Sequence, residues 1–152
     1  MRTTSAIFPF GLALLLAMAI GPSQAQSPDA ARTLFGKYQS LERSFDPAAA
    51  DLYCDTALIR NTRTYPDGQK RTLELPAPKY KELIRSAMPL AKSKGDYNKY
   101  SGVAYAPENG NVRITATRYS VLKQYASPLS LLVGPCKGGG WGVLEELSES
   151  RP

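Results

Sequence analysis

Residues 52–68 constrain the fold more than any other part of the chain. A short predicted helix at 48–53 leads into a segment of Thr, Ile, Leu and Tyr residues with alternating polarity, and Tyr65-Pro66-Asp67-Gly68 closes it as a turn. Residues 69–75 can pair back, so the pattern predicts a β-hairpin. The function then depends on which side chains the first strand presents to the interior.

Helical patterns lie on both sides of this hairpin. Apolar residues recur at helical spacing from Leu34 through Tyr38 to Phe45, which predicts a helix that begins at Ser27-Pro28-Asp29. A third helix is predicted after Pro78, and Pro89 kinks or ends it. The remaining strands are predicted at 97–106, 112–125, 129–136 and 141–147.

Residues 1–25 have the order of a secretory signal peptide: Arg2, an apolar run at 7–20, and small residues that end at Ala25. The run is shorter than the roughly 20 residues of a membrane-spanning helix, and Pro22 closes it. We therefore expect cleavage after Ala25, no stable membrane span afterwards, and export to the periplasm or out of the cell. Residues 26–152 then form a single domain.

The charge and the two cysteines narrow the classes of function. The formal net charge is +6, but the basic residues are scattered without a binding motif, so nucleic acid is not an expected partner. The chain has no histidine, and Cys54 lies far from Cys136, so neither a metal nor another cofactor is expected. In an oxidising compartment the two cysteines favour a disulfide, and a pair of buried thiols is the alternative.

The predicted order is helix, short helix, two strands, helix and four antiparallel strands. This order defines an α+β domain in which a curved, mostly antiparallel sheet wraps on about three helices. Residues 34–41, 52–59 and 139–143 resemble nuclear transport factor 2-like domains, and among them the SnoaL-like group. The resemblance spans 26–152. It implies a cone-shaped fold, a pocket between the concave sheet and the helices, and a homodimer through the outer face of the sheet.

The resemblance also implies where catalytic groups would lie. In isomerase-like members a tyrosine on the first helix holds an oxyanion and a carboxylate on the first strand is the base; Tyr38 and Asn61 occupy these positions. An amide cannot act as that base. A second acid comes from the penultimate strand, where Ser130 is the nearest polar residue, because no Asp or Glu lies between Glu108 and Glu145. The histidine of the dehydratases is also missing, so these departures count against catalysis.

Strand alternation predicts a polar and aromatic lining for the pocket. If Asn61 faces inward, Arg63 and Tyr65 share its face. Tyr100 is a further candidate for the pocket wall, and ordinary core packing is the alternative for these tyrosines. Two interpretations of Arg118 remain open. It continues the inward face of its strand and meets an anionic ligand, or it lies exposed beyond a bulge while the next residue turns inward, the arrangement that we favour.

The sequence therefore predicts a non-catalytic domain that binds a small amphipathic or anionic molecule, or a protein partner. An isomerase, cyclase or hydratase with an unconventional acid or base, such as Asp55 or a tyrosine, is the second hypothesis. A buried carboxylate with a raised pKa inside the cone would favour it. A structural dimerisation module is the third, and a solid cone with a broad apolar outer sheet would favour that one.

Overall fold

The structure, a computed structural model, describes residues 28–152; the predicted signal peptide at 1–25 and the predicted cap Ser27 lie outside them. None of the helices in this range is long and apolar enough to cross a membrane. The elements are, in chain order, α1 (Pro28–Arg43), a 3₁₀ segment (Pro47–Leu52), β1 (Tyr53–Thr64), β2 (Lys70–Pro76), α2 (Ala77–Lys94), β3 (Asn98–Glu108), β4 (Asn111–Ser120), β5 (Tyr125–Pro135) and β6 (Trp141–Ser150).

Helix α1 buries the face that the spacing predicts, and its buried residues are Ala31, Leu34, Phe35 and Tyr38. The helix stops just before Phe45, which takes a left-handed backbone with φ of 57°. Asp46 then begins the 3₁₀ segment by accepting a hydrogen bond from the Ala48 amide at 2.8 Å. The first helix therefore delivers the chain directly to the start of β1.

Helix α2 continues through Pro89 to Lys94, so of the two predicted effects of Pro89, a kink or the end of the helix, the second does not occur. A proline removes one backbone hydrogen bond, and on an exposed helix water can satisfy the freed carbonyl. Leu83 and Leu90 on this helix are indeed exposed. The helix ends where Gly95 adopts φ of 62° and its amide bonds to the last turn.

The six strands form one sheet in the order β2-β1-β6-β5-β4-β3. Only the β1–β6 pair is parallel, and all the other neighbours are antiparallel. Shifts of register interrupt three of the pairs, between Tyr53 and Leu58, between Ser101 and Ala104, and between Leu132 and Val133. Such irregularities bend strands, so they help the sheet to curve over the helices. The predicted α+β architecture is confirmed.

One predicted strand is wrong. The segment 112–125 is divided, because β4 ends at Ser120 and β5 begins at Tyr125. The Gln124 amide bonds to the Ser120 carbonyl at 2.9 Å, and the Lys123 amide bonds to the Ser120 hydroxyl at 3.2 Å. Gln124 takes a left-handed backbone there. The turn contains neither glycine nor proline, so the usual turn signal is missing from the sequence.

The core lies between the inner face of the sheet and the helices. Ile59, Ile114 and Leu131 are each 1% exposed and come from three different strands. Cys54 at the start of β1 is joined to Cys136 after β5, with their Cα atoms 5.4 Å apart. The predicted disulfide is thus present, and it is consistent with the expected export because such bonds persist in oxidising compartments.

Candidate functional site

A carboxylate lies inside the cone. Glu146 on β6 is 1% exposed, and its pairing with the buried Ile59 places it on the inner face of the sheet. The Tyr53 hydroxyl donates a hydrogen bond to Glu146 Oε2. The Tyr80 hydroxyl, from helix α2, donates to Oε1 at 3.1 Å and to Oε2 at 3.3 Å. Burial and the charge of Glu146 raise the pKa of both tyrosines well above its usual value, so both keep their protons and act as donors.

A second carboxylate, Glu42, projects from the last turns of α1. The Tyr100 hydroxyl donates to its Oε2, and the Asn98 amide donates to its Oε1. Burial raises the pKa of Glu42 and outweighs the two hydrogen bonds, which act to lower that pKa. Burial therefore makes Glu42 easier to protonate than an exposed glutamate.

Tyr38 and Arg118 connect the two carboxylates electrostatically. Tyr38 is 8% exposed, and its pKa is raised first by burial and then by Tyr100 and Glu146. Burial is the largest single influence on the pKa of Arg118 and acts to lower it, but the surrounding acidic groups, with Tyr38 and Glu146 foremost, together outweigh burial and raise it. Arg118 therefore stays charged as the cation of an interior that holds two acids.

Arg118 faces inward because the β4–β5 register runs without a shift from Val112 to Ser120. The arrangement that we favoured, an exposed Arg118 beyond a bulge, is wrong, and Tyr119 is the exposed neighbour. Arg118 Nη2 donates to the Glu149 carbonyl at 2.7 Å. Within residues 28–152 no ion pair involves Arg118.

A small cavity opens beside Arg118, and we call it the mouth cavity. It has a volume of about 210 Å³ and is lined by Asp96, Asn98, Arg118, Ser120, Lys123, Tyr125 and Ser127. Asn98 connects this cavity to Glu42, since its amide bonds to that carboxylate. A second cavity of about 230 Å³ shares Tyr125 and Ser127 with it and adds Lys70 and Arg151 to the lining.

The remaining candidates on β1 are not part of this cluster. Asn61 faces inward as expected, but its Nδ2 donates to the Ser148 hydroxyl at 3.0 Å and its Oδ1 accepts from the Ser150 hydroxyl at 2.7 Å. Arg63 is exposed and lies with its guanidinium 5.6 Å from the Tyr65 ring, at the hairpin end. The structure thus brings together Tyr38, Tyr100 and Arg118 and leaves the others outside.

Two further candidate residues, Ser130 and Asp55, do not face the interior of the cone. Ser130 lies on the outer face, 3.4 Å from Arg113 Nη1, because its neighbours Leu129 and Leu131 point inward. Asp55, the suggested unconventional base, is exposed and pairs with Lys81 at 2.5 Å, which lowers the pKa of Asp55. Neither residue faces the interior carboxylates.

The outer face of the sheet carries a trough of about 620 Å³. Six of its thirteen lining residues carry hydroxyl groups: Thr62, Thr72, Thr115, Thr117, Ser130 and Ser148. Apolar residues lie among them, and Leu147 is 37% exposed. This face thus mixes hydroxyl-bearing and apolar residues, and the homodimer through it remains a prediction.

The sequence contained signals for the acids that were missed. Glu145 and Glu146 are adjacent in the predicted strand 141–147, which has no other polar side chain apart from the Trp141 ring nitrogen, so alternation places one of them on the inner face. Glu42 follows Tyr38 by four residues on α1, which places both on one side of the helix. Within residues 28–152, no group of three or more acidic or cysteine side chains is arranged to hold a metal ion.

The comparisons with known proteins bear on the fold. No protein-family model and no curated protein matches the chain. It is similar in structure to an NTF2-like protein of unknown function from Pseudomonas putida, with 13% identity, a TM-score of 0.59, and 80% of this chain and 84% of that chain covered. An NTF2-like protein of unknown function from Shewanella oneidensis shares 12% identity over 80% of this chain and 98% of that chain, with a TM-score of 0.57.

ActVI-ORFA from Streptomyces coelicolor is also similar, with 8% identity, a TM-score of 0.54, and 80% of this chain and 95% of that chain covered. Identities this low show the fold alone. The chain has the nuclear transport factor 2-like fold, an α+β cone. The fold predicted from the resemblance is thereby confirmed.

Proposed function

We propose that the domain binds a small molecule with an anionic group in the mouth cavity, with Arg118 as the principal anchor. One observation carries this proposal. Arg118 is partly buried among acids and tyrosines, yet within residues 28–152 its hydrogen bond goes to a backbone carbonyl and no carboxylate forms an ion pair with it. A guanidinium has five N–H donors in a planar fork, which suits two oxygen atoms of a carboxylate or similar anion.

The other lining residues support this choice of ligand. Lys123 adds a second positive charge, and Asp96 is the one acid in the lining of the mouth cavity. Ser120 and Ser127, each 8% exposed, offer hydroxyl groups at the wall. Charge-assisted hydrogen bonds of this kind are about twice as strong as neutral ones.

The volume limits the size of the ligand. Cavities that enclose a drug-sized molecule measure about 300–1,000 Å³, whereas the mouth cavity measures about 210 Å³. We therefore propose an anion of a few heavy atoms, or a longer molecule whose other end reaches the neighbouring cavity of about 230 Å³.

The test is a binding measurement with simple anions. Benzoate, succinate and sulfate are titrated into the mature chain by calorimetry, and benzamide serves as the uncharged counterpart of benzoate. We expect at least one anion to bind, benzamide to bind more weakly, and Arg118→Gln to weaken anion binding about 10- to 100-fold, since hydrogen bonds to charged groups contribute about 1.5–3 kcal/mol.

Arg60→Gln is the matched control. Arg60 lines the outer trough and pairs with Glu74 at 2.9 Å, so the same substitution there should leave anion binding unchanged. Binding that is equal in wild type and Arg118→Gln would overturn the proposal, and so would the failure of all three anions to bind.

A second candidate function is acid–base catalysis, which the buried carboxylates favour. Glu42 has a raised pKa and accepts a hydrogen bond from the Tyr100 hydroxyl. The buried hydroxyl of Tyr38 interacts electrostatically with Glu42. A carboxylate with a raised pKa can accept and return a proton, and tyrosine hydroxyls can stabilise an oxyanion. Deuterium exchange at the methyl group of pyruvate in D₂O tests this idea by NMR. Exchange no faster than in buffer, or unchanged in Glu42→Gln, would exclude it for this probe.

A further inference from the structure

We propose that binding of an anion at Arg118 is coupled to the uptake of one proton by Glu42. This inference rests on the proposed function and deepens it, because it states how the same site is regulated. A domain with this coupling binds its ligand more tightly in acid than at neutral pH. The coupling follows from the hydrogen bond between Glu42 and Asn98, a residue of the mouth-cavity wall.

The contact between Glu42 and the cavity runs through Asn98 and Arg118. Asn98 lines the mouth cavity and donates its amide to Glu42 Oε1. Arg118 lines the same cavity and interacts electrostatically with Glu42. An anion at Arg118 therefore enters the field of the Glu42 carboxylate.

The charges around Glu42 set the sign of the coupling. The groups that face it are Tyr38 on its own helix, Tyr100 on β3, Arg118 on β4 and Glu146 on β6. The tyrosines are neutral, so two carboxylates stand against one guanidinium. A bound anion adds a negative charge to this set, and protonation of Glu42 removes one.

Glu42, and not Glu146, is the acid that contacts the wall of the mouth cavity. Glu146 is 1% exposed and accepts hydrogen bonds from two tyrosine hydroxyls, at the end of the cluster held by β1 and α2. Glu42 instead touches a residue of the cavity wall, and burial already raises its pKa. A bound anion therefore acts on Glu42 in the same direction as burial, which already raises the pKa of Glu42.

The magnitude follows from linkage. If one proton accompanies each anion, the affinity rises by up to about tenfold for each unit by which the pH falls between the pKa of Glu42 in the complex and its lower pKa in the free protein. Over the range from about pH 8 to about pH 5.5 the charge of sulfate and of benzoate is constant, so any slope belongs to the protein.

The experiment measures the affinity for sulfate and benzoate across that range in wild type, Glu42→Gln and Glu82→Gln. Glu82→Gln is the matched control, because Glu82 is exposed on α2, pairs with Lys79 at 3.5 Å and lines neither of the two cavities. We expect a pH slope in wild type and in Glu82→Gln, and tight binding without a slope in Glu42→Gln. Calorimetry in two buffers of different ionisation enthalpy counts the proton directly.

The outcomes separate the coupling from the proposed function. Anion binding that depends on Arg118 but shows no pH slope would overturn the coupling and leave the proposed function intact. An equal slope in wild type and Glu42→Gln would also overturn the coupling, because the proton would then bind elsewhere. No binding at any pH would overturn both. Should Glu42→Gln fail to fold, the ¹³C titration of the wild-type carboxyl groups decides, and the Glu42 resonance must titrate at higher pH once sulfate is added.

Discussion

The disulfide between Cys54 and Cys136 should supply a large share of the stability of this domain. It joins residues with a sequence separation of 82, and reduction allows this whole segment to move freely in the unfolded chain. For a loop of that length the chain-entropy relation gives about 4.5 kcal/mol at 25 °C, whereas measured disulfides typically contribute about 2–4 kcal/mol. We therefore expect reduction to lower the free energy of unfolding by about 3–4.5 kcal/mol.

The position of the bond supports a value near the upper end. Cys54 begins β1, and Cys136 follows β5 in the connection to β6. The parallel β1–β6 pair begins beside it, with Tyr53 opposite Val143. The pairing of strands so distant in sequence costs much chain entropy. The cross-link lowers that cost because it already restricts the unfolded chain.

The assay is urea unfolding of the mature chain, followed by tyrosine fluorescence or circular dichroism, with and without a phosphine reductant. With a urea slope of about 1.5 kcal/mol per molar, the expected loss moves the midpoint down by about 2–3 M. The Cys54→Ser, Cys136→Ser variant is the control and should not respond to the reductant. Two free thiols by mass spectrometry in the untreated protein would refute the reasoning, and so would a change below about 1 kcal/mol on reduction.

Three further predictions concern the interior and the packing of single residues. Burial raises the pKa of Glu42 above its unfolded value of about 4.5, so the contribution of Glu42 to stability is present in acid and is lost as the pH rises above that value. In Glu42→Gln the urea midpoint should therefore fall less between acid and neutral pH than it does in wild type. Tyr53→Phe removes a donor from a buried carboxylate and should cost about 1–3 kcal/mol, while the exposed Tyr119→Phe should cost almost nothing. Gly142→Ala places a Cβ 2.7 Å from the Cys136 sulfur and 2.9 Å from a backbone carbonyl oxygen and should cost about 1–3 kcal/mol. Gly36→Ala on the open side of α1 should instead stabilise by about 0.5–1 kcal/mol.

Each of these has a clear contrary result. A stability profile against pH that is identical in wild type and Glu42→Gln would show that Glu42 titrates normally. Equal effects of the two tyrosine substitutions would mean that the buried hydroxyl contributes nothing. Equal effects of the two glycine substitutions would mean that the disulfide region can relax around an added methyl group.

The sequence alone determined the elements and their order. The recurrence of Leu34 and Tyr38 defined α1, the turn after Tyr65 defined the first hairpin, and the glycines before Trp141 defined the last strand. These signals are local, since they depend on side chains within one or two turns or strands of each other. The turn at 121–124 was missed because it lacks such a local signal. Hydrogen bonds to Ser120 form this turn, and it contains neither glycine nor proline.

Only the tertiary structure decided what the cone contains. Alternation shows that one of Glu145 and Glu146 faces inward, but the register with β1 and β5 selects Glu146. Likewise, Glu42 meets Asn98 and Arg118 only because α1 packs across β3 and β4, at a sequence separation of 56 in the case of Asn98. Local propensity carries no information on such contacts, because they form when the curved sheet closes over the helix and depend on the register of every strand between them.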